Sequence, residues 1–317
     1  MNSVVSQTTD AVPFFPVDLP VPDLSHWRVG NTGLPGFWSF AATAPGPHVA
    51  LTALIHGNEI AGAHVLAGLL AGGVQPARGR LTLGFANLDA FDRFDPAQPT
   101  ASRFVDEDLN RLWDPAVLDG ARTSVELQRA RAMRPVMDTV DVLLDLHSML
   151  WPSGPLLLCG PSSKGRALAM ALGVPSLVVA DAGHVSGPRL IDYVRFVDPA
   201  QGAVACLVEA GQHWVRPTVD VAYACASAVL AHTGLAPPTT SRPTPRCAEV
   251  TDAITAATAG FTFAKPYQGG DVVPARGTLI AHDGPAEIRT PYDDCLLVMP
   301  SLRPSRGHTA VRLARFT

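Results

Sequence analysis

Short apolar runs alternate with longer amphipathic ones over the first ~235 residues. Residues 48–55 read as a buried strand and residues 59–70, rich in Ala, Leu and Gly, as a helix. A second strand is predicted over 80–87, and others over 140–146, 155–159 and 203–208. Helices are predicted over 124–137, 163–172 and 219–232, the first with Ser124 as cap and Glu126 in its opening turn. Between the second strand and the helix after it, residues 88–120 are polar and irregular. That is far longer than an ordinary connection, and loops of this length usually carry function.

Strand–helix alternation of this kind predicts an α/β fold: a mixed central sheet flanked by helices. Beyond it the pattern changes. Residues 236–246 hold four prolines and read as a stiff linker. Residues 247–317 show short strand-like runs broken by Gly and Pro, without helical periodicity. The predicted organisation is an α/β domain over 1–235, the linker, and a small β-rich domain over 247–317.

Composition narrows the function. Hydrophobic residues make up 47% of the 317 and charged residues 16%, which excludes a disordered chain. Net charge is −4 and no Lys/Arg cluster is present, so nucleic acid is not an expected partner. No apolar run reaches the ~20 residues of a membrane helix. Residues 1–16 carry no Lys or Arg and lack a signal peptide's apolar segment, so the expected compartment is the cytoplasm. The five cysteines are scattered without a C-x-x-C pair and read as buried free thiols.

In open α/β sheets, ligands bind beyond the carboxyl ends of the strands. Two such ends carry chemistry. His56-Gly57-Asn58-Glu59 follows the first strand, and three residues are about one helical turn, so both side chains can face one point. Asp145-Leu146-His147 closes another strand. Two histidines and a glutamate suit a catalytic zinc, which takes three protein ligands and leaves one position open. Asp145 and His147 share a strand face, making Asp145 a candidate to orient a ligand histidine. Taken singly, H-x-x-E is a weak pattern, and a lone His near a strand end is more often structural.

Four segments resemble the aspartoacylase/succinylglutamate desuccinylase family, a branch of the zinc carboxypeptidase-like fold: His56 to Glu59, Arg103 to Arg111, Asp145 to His147, and Val208-Glu209-Ala210-Gly211. Gly277 to Ala281 and Pro291 to Asp294 resemble the family's β-rich region. The resemblance implies one Zn²⁺ per chain on His56, Glu59 and His147, and Glu209 as the base that takes a proton from the metal-bound water. It implies that Arg103 polarises the scissile carbonyl, and that Arg103, Asn110 and Arg111 bind a carboxylate of the substrate. Guanidinium suits both tasks. A surface ion pair with Asp106, Glu107 or Asp108 is the competing reading for either arginine, and Asp108 reads as a buttress of the loop.

The implied activity is hydrolysis of a linear amide in a small, carboxylate-bearing N-acyl amino acid. A metallocarboxypeptidase acting on short peptides is the alternative, and a non-catalytic metal-binding module is a third reading that the presence of Glu209 disfavours. Homo-oligomers are compatible with the family, though no residue pattern here demands one. Where the family reads a second carboxylate with further Arg and Tyr residues, this chain has Asp192-Tyr193-Val194-Arg195 at a different spacing. Tyr193 and Arg195 are candidates for that task. His213 is a candidate to approach the site, with a structural role as the alternative.

Overall fold

A computed structural model describes residues 15–238, 240 and 243–317. The reading of residues 1–14, and of Thr239, Ser241 and Arg242 in the linker, falls outside the described residues. Fourteen strands are described: β1 (Phe37–Ala41), β2 (His48–Ala53), β3 (Arg80–Phe85), β4 (Val142–Met149), β5 (Leu156–Leu158), β6 (Leu177–Ala180), β7 (Val204–Gln212), β8 (Arg246–Thr255), β9 (Phe261–Phe263), β10 (Val272–Val273), β11 (Leu279–Asp283), β12 (Ala286–Arg289), β13 (Cys295–Val298) and β14 (Thr309–Phe316). The α-helices are α1 (Ile60–Ala71), α2 (Leu88–Phe91), α3 (Pro115–Leu118), α4 (Val125–Met137), α5 (Ser163–Leu172), α6 (Val194–Val197) and α7 (Arg216–His232). No helix among the described residues is long and apolar enough to cross a membrane.

Eleven strands form one mixed sheet in the order β1-β3-β2-β4-β7-β5-β6-β8-β14-β13-β10, and β12-β11-β9 form a small second sheet. The predicted α/β architecture with a β-rich C-terminal region is therefore present. The large sheet passes without a break from one region into the other, because β8 pairs in parallel with β6. Strand alternation divides the core between the two faces. Leu144 and Leu146 pack with Leu66 of α1 and Val229 of α7, whereas Leu143 packs with Leu127 and Met133 of α4.

Two strands escape prediction from the sequence. β1 is short and only its first residue, Phe37, is fully buried, so its alternation is weak. β6 follows the helix α5 within five residues and carries only four residues of its own. The long segment 88–120 is not structureless: it contains α2, α3 and a short 3-10 turn over Leu109–Arg111.

Candidate active site

β2 ends at Ala53, and Leu54 adopts a positive φ of 59° while fully buried. A non-glycine residue held there is strained, a condition that concentrates at functional sites. The chain then turns, with the Glu59 amide donating to the His56 carbonyl at 3.1 Å. The one-turn spacing of His56 and Glu59 is thus made by this turn rather than by the predicted helix, which begins at Ile60. A Cβ on Gly57 would lie 2.3 Å from the Ala90 carbonyl carbon and 2.6 Å from the Ser102 carbonyl oxygen. Only glycine lets the turn sit this close to the long loop, to which the Gly57 amide donates through the Arg103 carbonyl at 3.1 Å.

His147 lies inside β4, not at its end. Its neighbour in the parallel register of β7 is Glu209, which is likewise interior to its strand rather than terminal as predicted. Burial of His56, Glu59 and His147 is nearly complete, and each offers a ligand atom within 4.8 Å of the others. The Glu59 carboxylate bridges the rings: Oε1 is 2.7 Å from His56 Nδ1 and Oε2 is 3.0 Å from His147 Nδ1. Burial works against an ionised Glu59, but His56 and His147 hold its carboxyl well below the usual range.

The far side of each ring is also engaged. His147 Nε2 lies 2.8 Å from Asp145 Oδ2, and Asp145 Oδ1 accepts a 2.7 Å bond from Thr52 Oγ1 on β2. His56 Nε2 lies 2.9 Å from Asp108 Oδ1. The carboxylate on His147 Nε2 favours the tautomer with a free Nδ1 lone pair, which is what a cation between the rings requires, while His56 Nε2 faces both Asp108 and the Arg103 guanidinium. The donor set of two imidazoles and one carboxylate fits a divalent cation.

The loop brings Arg103 to this centre, with one terminal nitrogen 2.8 Å from His56 Nε2 and 3.2 Å from Asp108 Oδ2. Arg111 lies 3.7 Å from the same Asp108 oxygen, so the two predicted arginines share one carboxylate. Asn110 is buried, and its Oδ1 accepts from the Leu190 amide at 2.7 Å. The loop itself is held by Glu126 in the first turn of α4. Its buried carboxylate accepts from the backbone amides of Val105, Asp106 and Glu107 at 2.6–3.2 Å and from Asn87 Nδ2 at 3.0 Å. Glu126→Ala should leave those donors without a partner and release Arg103 and Arg111. Each unmatched buried group costs about 1–3 kcal/mol. A fall in thermal stability together with a rise in KM is expected, and an unchanged KM would mean the loop is held by other contacts.

His56, Glu59, His147, Arg103, Asp108 and Arg111 line one cavity of about 600 Å³. Its walls include residues that sequence reasoning did not find: Arg189, His184, His308 and Arg312. Arg189 is fully engaged by Asp192 and Asp181. Arg312 projects from β14, with Nε 3.0 Å from Asp181 Oδ2. Its terminal nitrogens have no hydrogen bond among the described residues. Burial, reinforced by Arg111 and Arg312, pushes His184 down to about 4, a sign that this wall is electropositive. No motif marked these positions; Arg312 is one of several arginines in the C-terminal strands.

Glu209 is 7% exposed and its Oε2 has no hydrogen-bond partner. Burial, then the nearby Glu59, raises it to about 8. Tyr193 and Arg195 do not reach the cavity. The Tyr193 hydroxyl donates to Asp138 just past α4, and Arg195 donates to the Val140 carbonyl ahead of β4, at the opposite strand end from His147.

A buried group of two histidines and one carboxylate that could hold a metal ion sits in a mixed sheet, with a buried glutamate across the register from one of the histidines, an arrangement suited to hydrolysis. The profile of the succinylglutamate desuccinylase/aspartoacylase catalytic domain matches residues 45–220, and the chain belongs to this family of hydrolytic deacylases. Solved structures share the fold at low identity. Succinylglutamate desuccinylase from Vibrio cholerae is 18% identical over 86% of this chain and 82% of its own, with a TM-score of 0.66. An aspartoacylase family protein from Mesorhizobium loti is 20% identical over 89% and 88%, with a TM-score of 0.65. The product-bound ectoine utilization protein EutE (DoeB) from Ruegeria pomeroyi is 18% identical over 89% and 88%, with a TM-score of 0.67. No curated protein matches the sequence.

Proposed function

We propose that this protein hydrolyses the amide bond of a small N-acyl amino acid and that His56, Glu59 and His147 hold one zinc ion per chain. The observation that carries the reading is Glu209: a buried carboxylate with a free oxygen, set beside His147 by strand register and made basic by its surroundings. Binding a metal needs no such group, whereas hydrolysis does. The zinc ion would acidify water and polarise the scissile carbonyl.

The chain's own residues supply the remaining steps. Glu209 accepts a proton from the attacking water, whose oxygen bonds to the carbonyl carbon. Arg103, 38% exposed beside the triad, faces the oxygen on which negative charge develops. Glu209 then returns the proton to the amine nitrogen as the C–N bond breaks. A carboxylic acid and a free amino acid result. Arg111 and Arg312 take the substrate's carboxylate, with Asn110 positioning the loop between them. A cavity of about 600 Å³, closed on one side by β14, suits a small molecule better than a peptide.

The test is a hydrolysis screen of N-acetyl, N-formyl and N-succinyl amino acids, with and without chelator, beside ordinary dipeptides. Turnover of the first group that chelator abolishes supports the reading. Turnover confined to dipeptides would overturn it in favour of a carboxypeptidase. On the best substrate, Arg312→Gln should raise KM about 10- to 100-fold, the worth of a charge-assisted hydrogen bond, with kcat changed far less. An unchanged KM would remove Arg312 from the carboxylate site.

A further inference from the structure

His213 is a residue that the deacylase reading leaves without a task. It follows β7 by one residue, where Gly211 at φ 135° swings the chain; a Cβ there would meet Thr218 Oγ1 at 2.8 Å. The backbone of this turn is tied down on both sides. The His213 amide donates to the Met149 carbonyl at 2.9 Å, and Thr218 Oγ1 donates to the Gln212 carbonyl at 2.6 Å. Against Trp214 the imidazole packs with centroids 5.1 Å apart, and the Trp214 indole donates to the Asn58 carbonyl at 2.9 Å. The ring is 2% exposed and lines the cavity.

One ring nitrogen is committed and the other is not. Nδ1 lies 2.7 Å from the buried hydroxyl of Ser148, whose own amide donates to Glu59 Oε2 at 3.1 Å. Ser148 Oγ has no second acceptor among the described residues, so its proton goes to Nδ1 and the imidazole proton goes to Nε2. Nε2 has no partner among the described residues. A donor without a protein partner, in the wall of a substrate cavity, is matched when the substrate supplies an acceptor. Burial also pushes His213 down to about 4, against the pull of Glu59, which keeps the ring neutral.

Sheet order says which part of the substrate this is. The arginine wall rises from Asp181 after β6 and from Arg312 on β14. The Ser148–His213 pair belongs to β4 and the end of β7, with Met149, Leu150 and Trp151 beside it. A substrate whose carboxylate lies on the arginines and whose amide lies at the triad extends its acyl half toward this second wall. Resting on the deacylase reading, we propose that His213, its tautomer fixed by Ser148, determines acyl-group specificity by donating a hydrogen bond from Nε2 to an oxygen of the acyl half.

The experiment uses zinc-loaded full-length protein and two probes, acetate for the acyl half and free glutamate for the amino-acid half, with binding followed by calorimetry. His213→Leu should weaken acetate about ten-fold, the worth of one hydrogen bond, and leave glutamate unchanged. His213→Gln, whose amide can donate over a similar reach, should recover most of the loss. Melting temperature and one zinc per chain are checked in each variant, and Ser148→Ala, far smaller in volume change, provides a second variant expected to weaken acetate in the same direction. Unchanged acetate affinity in His213→Leu, or equal loss of both probes, overturns the assignment. Turnover of the N-acyl panel separates the two claims. Turnover with acetate binding indifferent to His213 removes this contact alone, whereas no turnover with the discrimination intact counts against the deacylase reading and for the contact.

Discussion

Glu209→Gln is expected to lower kcat about 10³-fold while leaving one metal ion bound per chain. General acid–base catalysis by a single side chain is worth roughly 10²- to 10⁴-fold. The glutamine keeps the shape of the carboxylate and loses its basicity. Metal content should hold because the triad of His56, Glu59 and His147 does not include Glu209. The same substitution is expected to stabilise the chelator-treated protein at neutral and alkaline pH. A carboxyl raised to about 8 binds its proton more tightly in the folded chain than in the unfolded one. Its contribution to stability is intact below about 4.5, the ordinary carboxyl value, and is lost as pH rises through about 8. A tenfold change in proton affinity corresponds to about 1.4 kcal/mol, so the wild type should lose on the order of a few kcal/mol relative to the variant across that window. Thermal melts at intervals from pH 4 to 9 read the difference. Full turnover by the variant would end the case for Glu209 as base, and melting curves that run parallel throughout would contradict its burial as a carboxylate.

Removing the metal has the second large effect. Chelation, or His147→Ala, should bring turnover to background, and zinc should restore the chelated wild type but not the variant. Stability should fall too, since a ligand held only by the folded chain stabilises it by mass action. Asp145→Asn is the finer probe. Asp145 accepts from His147 Nε2 and from Thr52, fixing which ring nitrogen faces Glu59. An asparagine can present its NH₂ to that nitrogen and unsettle the tautomer. Metal affinity should weaken about 10- to 100-fold, with activity recovered at high zinc. Stoichiometric zinc in His147→Ala at wild-type affinity would refute the triad as the ligand set.

These two experiments probe parts of the site that differ in how openly the sequence displays them. His56 with Glu59, and Asp145 with His147, are short-range pairs, and a turn or a strand of known period fixes what such neighbours can share. Glu209 stands out through the motif around it. Its placement beside His147 does not, because register between β4 and β7 is a relation between segments more than fifty residues apart. The role of Glu126 as anchor of the 88–120 loop is equally hidden: a glutamate in a first helical turn usually faces water, and only the packed loop turns it into a buried acceptor.

The chain's apolar periodicity determined by itself that an α/β sheet would form and roughly where most of its strands and helices run, and short-range spacing paired its site histidines with acids. Those are local consequences of backbone geometry and side-chain alternation. Tertiary structure alone decided that Arg312, more than 250 residues beyond His56 and Glu59, joins them, that Tyr193 and Arg195 point to the far end of the sheet, and that His213 lines the cavity. Strand order and register are set by long-range packing of whole faces against one another, and that free energy is not written in any single stretch of residues.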